Sequence, residues 1–314
     1  RGTALPEESF FKNVVDRVTA VGTTFMGMTV HCATCHDHKY DPLTQKDFYS
    51  LFAFFNNLDA APETGGRPKD GLQPPFLALG TPEQNKNLEQ LNKLFAESDK
   101  ALKAKKKKVA AAKDPEQKKA LSQALKALTA KYNDLKGRRD RLDREISRAM
   151  VMKERKEVRP THIRIRGQYD APGELVTRNT PEFLPALKKS GETATRMDLA
   201  EWFVQPDNPL TARVAVNRFW QQFFGTGLVK TSEDLGAQGD VPSHPELLDH
   251  LTVSFIESGW DVKALIKQIV LSKTYRQSSV STSEQFAKDS ENRMLARGSR
   301  FRMDAEMIRD QILA

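Results

Sequence analysis

Eight residues, His31-Cys32-Ala33-Thr34-Cys35-His36-Asp37-His38, hold both cysteines and three of the six histidines of this 314-residue chain. Cys-x-x-Cys-His is the spacing that attaches haem c. Two thiols three residues apart can each form a thioether to a vinyl group of one porphyrin. The next histidine can then ligate the iron from the same side. On this reading Cys32 and Cys35 are the covalent anchors and His36 is the proximal ligand. Two other chemistries use the same atoms. Cys32 and Cys35 can pair as a redox disulfide, or the two cysteines with His36 or His38 can hold zinc. A structural zinc site usually draws four ligands from two separated pairs. The chain has no second cysteine pair, so zinc needs a distant histidine.

The flanks bear on what surrounds such a site. Upstream, Phe25-Met26-Gly27-Met28-Thr29-Val30 is apolar and could line a porphyrin face or serve as ordinary core. His38 is two residues from His36, too close to reach the opposite face of one iron. It, or Asp37, fits a hydrogen-bonding role beside the proximal ligand, with a surface histidine as the plainer reading. Met26, Met28, His31 and the remote His162 are the candidates for a distal ligand, and an open or water-bound position is the alternative. Beyond Pro42, residues Phe48, Tyr49, Leu51, Phe52 and Phe54 predict one helix with a crowded apolar side.

The positive charge is concentrated in one element. Between Glu83 and Glu157 there are 22 Lys and Arg against 12 Asp and Glu, a net of +10 in a chain that carries +8 overall. Thr81-Pro82-Glu83-Gln84 is a helix start, with a capping threonine, proline at the first position and glutamine at the third. Leu88, Leu91, Phe95, Leu102 and Val109 follow near heptad spacing, and Asp114-Pro115 breaks the run. Leu121, Leu125, Leu128, Tyr132, Leu135, Leu142 and Ile146 then repeat the pattern. Together these predict a long antiparallel helical hairpin with a coiled-coil seam, in which Arg139 and Gly137 are flaws. Lys105-Lys106-Lys107-Lys108 near its tip could meet an acidic polymer, a partner's acidic surface or anionic lipid, against the plainer reading of a solvated helix face. Nucleic acid is disfavoured, because no aromatic or arginine stacking groups interleave these lysines.

Further on, Thr161-His162-Ile163-Arg164-Ile165-Arg166 alternates as a half-buried strand with Ile163 and Ile165 on one face, and Pro172-Gly173 and Thr180-Pro181 mark turns. From Ala194 the pattern is helical. Val214, Val216, Phe219, Trp220, Phe223 and Phe224 give a helix ended by a left-handed glycine, Gly225 or Gly227. Ser243-His244-Pro245-Glu246 reads as a capping box and Asp261 as a cap. Phe219, Trp220 and Trp260 read as core. His244 with Asp249 or His250 could make a hydrolytic or proton-transfer site. No nucleophile elbow, phosphate loop or dinucleotide fingerprint occurs.

Several of these stretches resemble a known family. Met28-Thr29-Val30 followed by Cys32 through Pro42 resembles the planctomycete cytochrome-c-like domain, the second such domain in a family of large exported proteins. Arg196 through Val204, Asp207 through Trp220, Gly225 through Thr231, Ser243 through Asp249 and Ser272 through Ser278 resemble the planctomycete-specific C-terminal domain of unknown function that follows it. The resemblance implies an exported, periplasmic protein and leaves its activity open.

The expected architecture is mainly α in four stretches. Residues 1–80 form the C-terminal part of a cytochrome-c-like helical segment, and residues 81–157 form the coiled-coil hairpin insertion. Residues 158–193 form a short strand-containing linker, and residues 194–314 form a helical C-terminal domain cut off in progress. The start at Arg1 and the helical pattern of Asp304 to Ala314, cut off in progress, lead to the expectation of a fragment, for which the lack of a leader pattern says nothing about location. No apolar run approaches a membrane span. The leading expectation is single-haem electron transfer, with haem c held by Cys32, Cys35 and His36, to a redox partner or to other domains of a longer chain. Against it stands a structural or polysaccharide- or protein-binding module in which the cysteines form a disulfide or a metal clip. A third expectation is a redox or hydrolytic enzyme that uses the haem or the His244 region.

Overall fold

The computed structural model describes residues 5–59 and 75–314. The described residues fall into two compact units, one combining residues 5–58 with 155–314, the other made of residues 75–154 with Asp59. The described residues are mainly α-helical, with two small antiparallel sheets.

Helix α1 (Pro6–Val21) opens with proline at its first turn and Glu7 and Glu8 beside it, where carboxylates favour the helix dipole. Phe10, Phe11, Val14, Val15 and Val18 recur every three or four residues and are buried. Each such side chain contributes about 1.5–3 kcal/mol on leaving water. A wide π-type turn (Gly22–Met26) ends at Gly27, whose φ of 58° is the left-handed conformation glycine adopts without a Cβ penalty. A Cβ there would also lie 2.8 Å from both Leu235 and Val214. The predicted aromatic helix is α2 (Gln45–Asn56). Thr44 and Asp47 close a capping box at its start, and Phe48, Tyr49, Leu51, Phe52 and Phe54 are all buried.

In the second unit, strand β1 (Phe76–Ala78) leads into helix α3 (Pro82–Ala111), helix α4 (Pro115–Glu145) and strand β2 (Arg148–Met150). The predicted start is present as drawn, since Gln84 N–H donates to Thr81 Oγ1 at 3.2 Å and Thr81 N–H to Gln84 Oε1 at 2.9 Å. Asp114 caps α4 by accepting from Gln117 N–H. Arg139 is not a flaw in the seam. Its guanidinium lies 4.3 Å from the Phe95 ring centroid, while Phe95 also meets Tyr132 at 4.9 Å. The planar cation therefore packs like a ring. Strands β1 and β2 pair antiparallel at the base, Phe76 opposite Met150. Lys106, Lys107 and Lys108 are exposed near the end of α3.

Back in the first unit, strand β3 (Thr161–Arg164) pairs antiparallel with strand β4 (Pro172–Val176). The strand stops sooner than its alternation predicts. Arg166 turns to φ 53° and Gly167 to φ 71°, so Ile165 is exposed instead of sharing a buried face with Ile163. Pro172 starts a strand instead of ending one at a turn. Lacking an N–H, proline is tolerated at the first position of an edge strand.

Helix α5 (Arg196–Phe203) follows and buries Trp202 with the core of α1 and α2. A second apolar cluster joins helix α6 (Thr211–Phe224), helix α7 (Pro245–Glu257) and helix α8 (Val262–Leu271). Trp220 and Phe224 stack there at 4.0 Å. Gly225, at φ 78°, is the left-handed cap of α6. Short helices α9 (Lys273–Arg276) and α10 (Ser283–Lys288) and helix α11 (Ala305–Leu313) complete the chain. The expected capping box at Ser243 does not form. The helix begins at Pro245, which makes His244 the cap position, and His244 gives no side-chain cap. Ser243 Oγ instead bonds the Leu228 carbonyl at 3.3 Å.

Candidate functional site

The motif occupies a single turn of 3₁₀-helix (Val30–Thr34) and the bend after it. Val30, Ala33 and Thr34 face inward and are buried, whereas His31, Cys32, Cys35 and His36 are exposed. Three residues make one turn of such a helix, so residues three apart line up on the same side. Burial of Ala33 and Thr34 between the two cysteines turns both thiols outward. Both are free thiols.

The turn is anchored from behind. The Thr34 carbonyl accepts from Tyr49 Oη and from Gln45 Nε2, each at 3.0 Å. Gln45 Nε2 also reaches the Arg164 carbonyl at 3.0 Å, tying α2 to the end of β3. Burial pushes the Tyr49 phenol well above its ordinary range, and the neighbouring Cys35 acts in the same direction. The phenol therefore keeps its proton and serves as a donor. Gly167 stands directly against Cys35, since a Cβ there would lie 2.6 Å from Cys35 Sγ and 3.4 Å from the Thr34 carbonyl oxygen.

The histidines divide into two kinds. His36 Nδ1 lies 2.7 Å from the Asp37 carbonyl oxygen. A carbonyl can only accept, so Nδ1 carries a proton, and in the neutral ring the lone pair is then on Nε2. A histidine held this way by a backbone carbonyl is oriented for metal ligation through its other nitrogen. His38 is the opposite case and is not a surface residue. Its ring is buried, and Nδ1 accepts from Asp41 N–H at 2.9 Å while Nε2 lies 3.5 Å from Thr29 Oγ1. Asp41 in turn accepts from Ala237 N–H at 2.7 Å. Asp37 Oδ1 accepts from Gln45 N–H at the start of α2. His38, Asp37 and Asp41 therefore shape the loop after the motif.

The distal candidates are scattered. Met26 and Met28, 0% and 5% exposed, are packed in the apolar core with Val30 and the side chains of α1 and α2. Their thioethers are absorbed by packing and are not on the exposed side that carries Cys32, Cys35 and His36. His31 is exposed beside Thr19 at 3.5 Å. His162 is half-buried with Nδ1 on the Gly173 carbonyl at 3.0 Å.

The donor set fits haem c, with two free outward thiols at the required spacing followed by an imidazole whose Nε2 is uncommitted. Among the described residues no three His, Cys, Asp or Glu side chains converge on a metal position. A zinc clip on the same cysteines would draw its remaining ligands from elsewhere.

Among the described residues no hydrogen bond or ion pair joins His244 to Asp249 or His250. Asp249 pairs with Arg213 at 2.7 Å, and His244 Nδ1 lies 3.0 Å from Ser243 Oγ. The other polar residues of this region hold loops. Asn217, 0% exposed, clasps both backbone groups of Val229, and Arg218 donates to the Thr23 carbonyl. Nothing in the sequence marks Gln45, or Tyr49 beyond its place on an apolar helix face, as a support of this turn. Only Gly167 carried a signal, a glycine closing an alternating strand.

Residues 1–60 match the family model PSCyt2, described as a protein of unknown function (DUF1549). Residues 195–314 match the family model PSD1, described as a protein of unknown function (DUF1553). Both are planctomycete-type domains, and neither description names a cofactor or an activity. No curated protein and no solved structure matches the chain.

Proposed function

We propose that Cys32, Cys35 and His36 hold haem c covalently and that the protein is an exported single-haem electron carrier. The observation that carries the reading is the pair of free, outward thiols on one turn, followed by a histidine whose Nδ1 proton is committed to the Asp37 carbonyl. Bound there, haem iron supplies a one-electron carrier.

The chain's own residues supply the rest. Cys32 and Cys35 would hold the group through thioether links to its vinyl substituents. His36 would hold the iron through Nε2, since the Asp37 carbonyl fixes the ring through Nδ1 and raises its basicity. Tyr49 and Gln45 hold the Thr34 carbonyl, which fixes the turn between the two anchors. Met26 and Met28 are packed in the core and would not hold the group. Covalent attachment implies an exported protein, because bacteria join haem c to its apoprotein outside the cytoplasm. The electron partner is then a redox protein or another domain of a longer chain.

The rival reading is a structural or binding module in which Cys32 and Cys35 form a disulfide or a metal clip. It draws on the close fit of Gly167 against Cys35. A pyridine haemochrome spectrum decides between the two. The full chain is produced in a host that attaches haem c, beside a Cys35→Ala variant. A c-type band that survives denaturation, and is shifted or lost in the variant, is the expected result. Apoprotein alone from a host that matures a control cytochrome would overturn the reading.

A further inference from the structure

A cavity of about 560 Å³ opens between the C-terminal end of α6 and the segment from Ser279 to Phe301. All of it lies within the first unit. Its size falls in the range of about 300–1,000 Å³ typical of small-molecule sites. Its chemistry is unlike that of the apolar core beneath it. Seven of its lining residues are serine or threonine. The side-chain hydroxyls of Thr226, Ser283 and Ser299 bond no protein group among the described residues.

Two arginines line the same space with different commitments. Arg297 is held in place, since Nη2 donates to the Ser290 carbonyl at 2.9 Å and its guanidinium lies 5.4 Å from the Phe286 ring centroid. Arg300 is exposed, and among the described residues its guanidinium meets no carboxylate or carbonyl. Glu291 is the one carboxylate in the described lining, and Lys230 neutralises it at 2.9 Å. The cavity therefore carries net positive charge with one guanidinium uncommitted. Phe286 and Phe301 add large apolar rings at its wall, 56% and 43% exposed. The Phe301 ring is seated on Gly225, where a Cβ would come within 2.9 Å of it.

Hydroxyl donors in number, exposed aromatic rings and a free guanidinium are together the complement of a sugar bearing an anionic group. Sugar hydroxyls exchange hydrogen bonds with serine and threonine, and the apolar face of a pyranose lies against an aromatic ring. A carboxylate or sulfate takes the planar fork of an arginine. A nucleotide would want a phosphate-binding backbone loop, and a fatty acid would want an apolar interior. The described lining offers neither. We propose that this cavity binds an acidic saccharide, with Arg300 on its anionic group and Phe286 against its ring. The site is separate from the cysteine motif and does not depend on haem.

Isothermal titration of the full chain tests it, with four probes: digalacturonate, galactose 6-sulfate, neutral galactobiose and inorganic sulfate. At least one acidic sugar should bind about tenfold tighter than galactobiose and than sulfate, the margin one charged hydrogen-bonded pair supplies. Arg300→Ala should erase that preference, and Arg300→Lys should restore part of it. Phe286→Ala should weaken both acidic and neutral sugars by about fivefold. Both side chains are exposed, so unchanged thermal unfolding should show the variants folded. Equal binding of neutral and acidic sugars, sulfate binding as tightly as the sugars, unchanged binding by Arg300→Ala, or no heat with any probe would overturn the proposal.

Discussion

Replacing His36 with alanine removes an exposed ring whose one hydrogen bond is to its neighbour's carbonyl. Replacing His38 removes a buried ring that accepts the Asp41 N–H. The two variants should therefore part ways. His36→Ala should stay within about 0.5 kcal/mol of the parent in urea unfolding, yet should change the absorption of attached haem if His36 ligates the iron as proposed. His38→Ala should cost about 1–3 kcal/mol for the stranded N–H and the void it leaves, while the cysteines still attach haem. Equal losses of stability would show that the two rings do not divide the work in this way. Gly167 makes a sharper case. Its φ of 71° disfavours any side chain, and a Cβ would meet Cys35 Sγ. Gly167→Ala should cost about 1–3 kcal/mol, and it should also change the reaction rate of Cys35 with a thiol reagent while leaving Cys32 near its parent rate. A change at neither cysteine would mean that the turn moves aside. The proposed anchors are legible because covalent attachment of haem would fix their spacing along the chain. The burial of His38 was not, because it follows from Asp41 being held by Ala237, 196 residues further on.

Helix ends carry the next set of consequences. Asp198 sits at the third position of α5 and accepts from Thr195 N–H at 2.6 Å and Ser190 N–H at 3.0 Å. These contacts, Thr195 first, lower its carboxyl from 3.8 to about 2. A lowered folded-state value means that the ionised form favours the fold. The stabilisation is fully present above about pH 4 and is lost as pH falls toward 2. In denaturation midpoints taken from neutral pH downward, Asp198→Asn should be less stable at pH 7. It should also lose less than the parent between about pH 4 and 2. Parallel curves for parent and variant would remove Asp198 from the acid response. Elements of this kind were readable where the signal is local. The Thr81 and Gln84 box, the Asp114-Pro115 break and the heptad leucines specify the hairpin without reference to the rest of the chain. Signals failed where tertiary contacts or backbone turns intervene. Met26 and Met28 look like ligands by composition and are core by packing. Ile165 follows the strand alternation and is exposed, because the backbone leaves the strand at Arg166.

The division into two units makes the hairpin separable in principle. Leu79 N–H donates to the Ser147 carbonyl at 2.8 Å, so the chain enters and leaves the hairpin side by side. A two-residue turn of Asn-Gly type could join the strands in place of residues 81–145. The first unit keeps its own cores, one on α1, α2 and Trp202 and one on α6 to α8. Its unfolding midpoint should therefore stay within a few degrees of the parent's. The electrostatic consequence is larger. Residues 81–145 hold 18 Lys and Arg against 10 Asp and Glu, a net +8 that equals the charge of the whole chain. Without them the protein is neutral overall, so it should pass through a cation exchanger at pH 7 that retains the parent. If the four lysines from Lys105 to Lys108 meet an acidic polymer, that binding should go as well and should weaken with salt in the parent. Acidic-sugar binding at the Arg300 cavity should survive the deletion, because no residue of that cavity lies in the hairpin. A deletion variant that still binds a cation exchanger would place the working charge outside the hairpin. One that loses the acidic sugar would tie its binding to residues outside the cavity's lining.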